Sequence, residues 1–141
     1  MSIEQNKALV RRLVDEVFNQ GDMAAADAVL AADFVEHEEL PPGTPPGREG
    51  PKALTQAIRG AFPDFHVTIE EMIAEGDKVF VRTTWTGTQE GEFMGIPAAG
   101  GRMNYSVWDV MRVADGRFVE HWGLSDNMTM MQQLGAMPGP E

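Results

Sequence analysis

The feature that most constrains the fold is a pair of strand-like arms near the C-terminus. The first arm covers residues 105–113 and the second covers residues 117–123, and both are rich in β-branched and aromatic side chains. Between them lies Asp115-Gly116, and an Asp-Gly pair flanked by such runs is a strong short-range indication of a β-hairpin. The sequence therefore predicts an antiparallel hairpin here.

Each arm carries one residue that could transfer a proton, Asp109 and His121. If residues 114–116 form a three-residue loop, Asp109 faces His121 directly, and both lie on one face of the sheet because side chains alternate between faces. If Asp115-Gly116 alone forms the turn, Trp122 lies opposite Asp109 instead. We favour the three-residue loop because it pairs the only imidazole of the hairpin with a carboxylate.

The first half of the chain shows helical patterns, with apolar residues recurring every three to four positions. The predicted helices cover residues 3–20, 23–30 and 51–62. Asp22 caps the second helix, and residues 31–33 close it. Residues 34–39 are expected to be extended, and the proline- and glycine-rich residues 40–50 form a loop.

From Phe65 onward, apolar and polar residues alternate, which is typical of β-strands. A turn at residues 75–77 and a loose connection at 89–102 separate the strands that precede the hairpin, and residues 137–141 form a tail. Helices followed by antiparallel strands indicate an α+β fold, and 141 residues point to one domain. Helices folded across a strongly curved sheet would leave a cone with a pocket.

Composition excludes several classes of function. The chain has no cysteine, so disulfides, zinc-thiolate sites and a cysteine nucleophile are ruled out. A net charge of −11 repels phosphate backbones and anionic lipid, so neither nucleic acid nor a membrane is an expected partner. The N-terminal residues do not resemble a signal peptide, and we expect a cytoplasmic protein.

An ordered set of short motifs resembles one known family. The motifs are Phe62-Pro63-Asp64-Phe65, Ile73-Ala74-Glu75-Gly76-Asp77-Lys78-Val79, Gly87-Thr88, Gly91-Glu92-Phe93-Met94-Gly95-Ile96-Pro97, Arg112-Val113-Ala114-Asp115-Gly116-Arg117, Glu120-His121-Trp122, Asp126 and Gln133-Leu134-Gly135. In this order they are similar to the SnoaL-like polyketide cyclases, or ester cyclases, of the nuclear transport factor 2-like superfamily. The resemblance implies a cystatin-like cone, in which three N-terminal helices wrap a curved antiparallel sheet around an apolar pocket. It also implies an intramolecular aldol condensation that closes a ring on a polyketide ester without metal or cofactor.

The resemblance also concerns the catalytic residues. In the cyclases an acid/base pair sits on the two arms of this hairpin. Its first member, a histidine in some relatives, falls on Asp109, and its second, an aspartate, falls on Gly123. Because glycine cannot move a proton, either Asp109 and His121 take over the chemistry, or the chain has another activity or none.

Both catalytic candidates have structural alternatives. Burying the charge of a carboxylate such as Asp109 inside an apolar strand costs free energy unless the carboxylate is paired. Burial also raises the pKa of a carboxylate toward neutrality, which is the range that a general base needs. The alternative is an ion pair with Arg112 or Arg82 at the sheet surface. His121 could orient Asp109 or act as its acid partner, or it could be a half-buried histidine beside Trp122.

The predicted ligand-binding residues are His37, Trp85, Tyr105, Met111, Trp122 and Asp126. Aromatic rings stack on ligands and methionines adapt to irregular ones, although both also fill cores. His37 is expected at the pocket rim, and Asp126 is expected either at the cavity mouth or as a helix N-cap. The spacing of His37, its acidic neighbours and His121 does not match a metal site, so no metal is expected.

The sequence thus favours a small cofactor-free enzyme in which Asp109 removes a proton next to a carbonyl of a small apolar or polyketide-like molecule. Three alternatives stay open. One is a binding protein for an apolar ligand without chemistry, and another is an isomerase or epoxide hydrolase on the same fold. The third is an interaction domain that forms a homodimer through an outer sheet face carrying Trp108, Val110 and Trp122.

Overall fold

The computed structural model describes residues 2–138. Its elements are α1 (Ile3–Arg12), α2 (Met23–Val29), β1 (Leu30–Glu36), α3 (Glu49–Ala61), β2 (His66–Glu75), β3 (Lys78–Thr88), β4 (Arg102–Ala114), β5 (Arg117–Ser125) and α4 (Asn127–Gln133). The α+β class expected from the sequence is confirmed. Residues 139–141 of the predicted tail lie outside the described residues.

The N-terminal helix begins with a capping box. The Ser2 hydroxyl accepts a hydrogen bond from the backbone of Gln5, and the Gln5 side chain accepts one from the backbone of Ser2. After Arg12 the helix continues as a π-helix over Leu13–Phe18. The helix predicted over residues 3–20 therefore forms, but its last part uses a wider hydrogen-bond pattern.

The five strands form one open sheet in the order β1-β5-β4-β3-β2. Strands β2 to β5 pair antiparallel, and the turn predicted at residues 75–77 lies between β2 and β3. At one edge β1 pairs parallel with β5, with Glu36 beside His121. The antiparallel sheet expected from the sequence is thus formed by β2 to β5, and β1 adds a parallel strand at its edge.

The start of β1 also differs from the expectation that residues 31–33 close the second helix. Asp22 caps α2 as predicted, with its side chain 3.0 Å from the backbone nitrogen of Ala25, but α2 ends at Val29 and the strand starts at Leu30. Leu30 at one end of this segment and Val35 and Glu36 at the other pair with β5, and this long-range pairing overrides the local alanine-rich helical preference.

Helices cover one face of the sheet. On β4 the residues on this face are all buried: Met103, Tyr105, Val107, Asp109, Met111 and Val113. The other face is open and carries exposed apolar side chains, including Trp108 at 51% and Leu124 at 77% exposure. None of the described helices is long and apolar enough to cross a lipid bilayer.

Candidate active site

The hairpin that organises the site uses a two-residue turn. Ala114 pairs with Arg117, and Asp115 and Gly116 have φ angles of +50° and +77°. Positive φ at both central positions is the requirement of a type I′ turn, which matches the twist of the adjoining strands. The predicted three-residue loop is therefore wrong.

A β-bulge then changes the register. Val113 pairs with Phe118 and Arg112 with Glu120, which leaves Val119 as an extra residue in β5. Beyond the bulge, Asp109 lies opposite Gly123 and His121 lies opposite Met111. Neither of the two cross-strand partners considered from the sequence, His121 or Trp122, is directly opposite Asp109.

Asp109 and His121 nevertheless meet, because they are diagonal neighbours on the same face. His121 Nε2 lies 2.6 Å from Asp109 Oδ1, and both residues are buried. The predicted juxtaposition of carboxylate and imidazole is thus present despite the wrong register. Arg112, the suggested surface partner of Asp109, pairs with Glu120 instead, at 2.6 Å.

A second carboxylate holds the other side of the imidazole. His121 Nδ1 is hydrogen-bonded to Glu36, which the parallel pairing of β1 and β5 brings alongside. Burial lowers the pKa of His121, but hydrogen bonds to Asp109 and Glu36 and their negative charges outweigh it and raise the pKa to about 10. The ring is therefore an imidazolium at neutral pH, and each nitrogen donates to a carboxylate.

A third carboxyl group, Glu38, completes the cluster. It lies just beyond β1 and accepts a hydrogen bond from the Ser125 hydroxyl at 3.2 Å. Burial raises the pKa of Glu38, and the charges of Asp109 and Glu36 add to this effect, whereas His121 and the Ser125 hydrogen bond oppose it. Neither Glu36 nor Glu38 was predicted to be a site residue. Their only signal in the sequence is a spacing of two and four residues from Phe34, which is buried and would share their face of an extended segment.

Gly123 provides the space in which these groups converge. A Cβ atom at this position would lie 2.7 Å from Asp109 Oδ1, 2.7 Å from His121 Cε1 and 3.0 Å from Glu38 Oε2. Such distances are shorter than van der Waals contact, so this arrangement of the three side chains requires a glycine. The absence of the expected aspartate at position 123 and the presence of the carboxyl cluster are therefore linked sterically.

The cluster forms the polar part of a cavity of about 300 Å³. The three predicted residues Trp85, Tyr105 and Met111 line this cavity, together with apolar side chains of α3 such as Leu54 and Ile58. Trp85 Nε1 donates to Thr83 Oγ1 at 3.0 Å, so its polar atom is satisfied within the protein. Burial and the charges of nearby carboxylates raise the pKa of Tyr105, which therefore presents a neutral hydroxyl.

The other three predicted ligand-binding residues do not line this cavity. His37 stacks on Trp122, with ring centroids 4.7 Å apart and planes at 4°, and its Nε2 lies 2.9 Å from Glu120. Asp126 is exposed and caps α4 through Thr129. The structure thus supports the N-cap alternative for Asp126, and it uses His37 and Trp122 in contacts with each other.

The same cluster has potential metal-binding atoms. One donor atom each from Glu36, Glu38 and His121 lies within 4.8 Å of the others. In the structure both nitrogens of the His121 ring are hydrogen-bonded to carboxylates, so a metal ion at this point would have to replace one of these hydrogen bonds. The expectation that no metal is bound stays a prediction.

Comparison with known proteins agrees with the motif resemblance. The family model described as SnoaL-like polyketide cyclase matches residues 8–134. The chain belongs to this family. Its relatives include the aklanonic acid methyl ester cyclase DauD of Streptomyces sp. (strain C5), which is 33% identical over 94% of this chain and 84% of the relative.

Two solved structures match this chain over almost its whole length. IdmH from Streptomyces antibioticus is 38% identical, with a TM-score of 0.79 over 93% of this chain and 99% of that one. TsrD from Streptomyces laurentii is 28% identical, with a TM-score of 0.88 over 97% of this chain and 99% of that one. These matches confirm the family and the fold predicted from the sequence.

Proposed function

We propose that this family member is a cofactor-free cyclase that closes a ring on a small polyketide ester by an intramolecular aldol reaction. The observation that carries this proposal is the buried Asp109–His121 pair, 2.6 Å apart, in the wall of a largely apolar cavity. The substrate class is that of aklanonic acid methyl ester, the compound in the name of DauD.

Asp109 is proposed as the general base. Its Oδ1 is held by His121, and its Oδ2 makes no hydrogen bond to any residue between 2 and 138, so that oxygen is available to a substrate. The carboxylate removes a proton from a carbon next to a carbonyl group. The resulting enolate attacks a second carbonyl carbon of the same molecule, a carbon–carbon bond forms, and the attacked oxygen becomes an alkoxide.

His121 is proposed as a positioning residue. Both ring nitrogens are engaged by carboxylates, so the ring holds Asp109 in one orientation and does not offer a free N–H to a substrate. A buried carboxylate without a partner is costly, and the imidazolium supplies that partner. The neutral hydroxyl of Tyr105 can donate a hydrogen bond to a carbonyl oxygen on which charge develops.

Turnover of aklanonic acid methyl ester by wild-type protein and by Asp109→Asn tests this proposal. Loss of a general base lowers rates by about 10²–10⁴-fold, so Asp109→Asn should lose activity while its circular dichroism spectrum is retained. The control is Asp33→Asn, an exposed aspartate of β1, which should turn over normally. Full activity of Asp109→Asn would remove it as the base, and an inactive wild type would reject this substrate class.

One observation favours a second candidate, a binding protein for an apolar ligand. Gly123 stands where the resemblance places the main acid/base aspartate, so the chain could keep the cavity without the reaction. In that case the same ester would bind without being converted, and Asp109→Asn would bind it with unchanged affinity. Isothermal titration followed by product analysis distinguishes the two functions.

We further propose that the protein acts as a homodimer in the cytoplasm. The open face of the sheet supports the dimer, because Trp108 and Leu124 expose large apolar surface there. Light scattering of wild-type protein and of Trp108→Ser tests the assembly: a monomeric mass for wild type would reject it.

A further inference from the structure

Ring closure moves two protons, and the proposed mechanism accounts for only one of them. Asp109 takes the proton from carbon, but the alkoxide oxygen formed in the attack also needs a proton. His121 has no free N–H, because Nδ1 and Nε2 both donate to carboxylates. A second proton donor in the same part of the cavity would protonate the alkoxide while Asp109 still holds the proton taken from carbon.

Glu38 lies in that position. Its Oε2 is 3.0 Å, and Asp109 Oδ1 is 2.7 Å, from the single point that a Cβ of residue 123 would occupy. The two carboxyl groups thus approach each other across Gly123, one from the segment after β1 and the other from β4. Both residues line the cavity.

The backbone around Glu38 is well anchored. The amide of His37 donates to the carbonyl of His121 at 2.9 Å, which extends the pairing of β1 with β5 by one residue. The amide of Glu38 donates to Glu36 Oε1 at 3.0 Å, the same oxygen that is bonded to His121. Glu38 is therefore positioned by the network that holds the base.

We propose that Glu38 is a second catalytic residue, which donates a proton to the alkoxide oxygen formed during ring closure. This inference rests on the proposed function. In each turnover Asp109 gains the proton from carbon and Glu38 loses its proton to oxygen. Asp109 then gives its proton to solvent and Glu38 regains one from solvent, so the reaction leaves no net change in protons and needs no oxidant or reductant.

The surroundings of Glu38 favour the protonated form that this role requires. The titratable groups facing it are Glu36 from β1, Asp109 and Tyr105 from β4, and His121 from β5. The carboxylates of Glu36 and Asp109 are balanced only by the imidazolium of His121, so a third negative charge on Glu38 is disfavoured. Burial acts in the same direction, and both effects raise the pKa of Glu38 above its ordinary value of 4.5.

The test compares Glu38→Gln with Glu71→Gln, an exposed glutamate of β2 that lies outside the cavity wall. The readout is kcat and KM for aklanonic acid methyl ester across pH. Glu38→Gln should lower kcat by about 10²-fold or more with little change in KM, whereas Glu71→Gln should resemble wild type. The wild-type kcat should also fall as pH rises past the raised pKa of Glu38, and Glu38→Gln should lose this limb.

Each outcome separates this inference from the proposed function. If wild type and Glu38→Gln are equally active while Asp109→Asn is inactive, the cyclase function stands and the role of Glu38 is overturned. If wild type does not convert the ester, the function itself is rejected and the role of Glu38 falls with it. If Glu38→Gln does not fold, Glu38→Asp replaces it: a kcat at least about tenfold lower supports the inference, and an unchanged kcat overturns it.

Discussion

The imidazolium of His121 should make the stability of the fold depend on pH. Its pKa is about 10 in the folded protein and 6.5 as an ordinary value. Because the folded value is raised, the stabilisation is fully present below pH 6.5 and is lost as pH rises through about 10. Linkage between these two values leaves nearly all of the stabilisation in place at pH 6 and about a third of it at pH 9. The expected loss between the two pH values is therefore about 3 kcal/mol.

The matched perturbation is a neutral version of the network, Glu36→Gln/Asp109→Asn/His121→Gln, which keeps side-chain volumes while removing all three charges. Neutral replacement of a complete buried charge network is tolerated better than removal of one partner, which would leave a charge unpaired. Urea denaturation at pH 6 and pH 9 measures the free energy of unfolding.

Wild type should lose about 3 kcal/mol more than the triple variant between the two pH values. His66→Gln, which removes an exposed histidine of β2, should lose as much as wild type. Equal pH dependence in wild type and the triple variant would refute the assignment of a buried imidazolium.

Two further substitutions test the geometry of the hairpin. Gly123→Ala should destabilise the protein by about 1–3 kcal/mol and abolish turnover, because its Cβ would lie 2.7 Å from Asp109 and from His121. The control is Gly60→Ala, whose Cβ would meet nothing within 4 Å. A Gly123→Ala variant with unchanged stability and turnover would contradict the convergence of side chains at this position. Asp115→Val should lower the free energy of unfolding in urea by about 1–2 kcal/mol, because a β-branched residue at φ +50° is strained. Asp115→Asn should leave it nearly unchanged. Equal stability of the two variants would argue against the type I′ turn.

Much of the fold could be predicted because it depends on local patterns. Periods of about 3.6 and 2 residues located the helices and the strands, and an Asp-Gly pair located the hairpin. The boundary between α2 and β1 could not be predicted in this way, because an alanine-rich segment is locally suited to a helix and only its pairing with β5 makes it a strand.

The meeting of Asp109 and His121 shows how local reasoning can reach a correct contact through a wrong register. A two-residue turn by itself would place His121 on the opposite face from Asp109, since each shift of one residue exchanges the faces. The extra residue Val119 in the bulge exchanges them again and returns His121 to the cavity face. The sequence pattern carries no clear signal for that bulge.

The α+β class, the hairpin and the family could be predicted from the sequence alone, because periodicity and short motifs are local properties. Three of the predicted residues, Trp85, Tyr105 and Met111, also line the cavity. The presence of Glu36 and Glu38 in the site is a consequence of tertiary structure. Their approach to His121 depends on parallel pairing between β1 and β5, whose paired residues Glu36 and His121 are far apart in the chain. Contacts of this kind are formed by the packing of the whole sheet, and no local pattern encodes them.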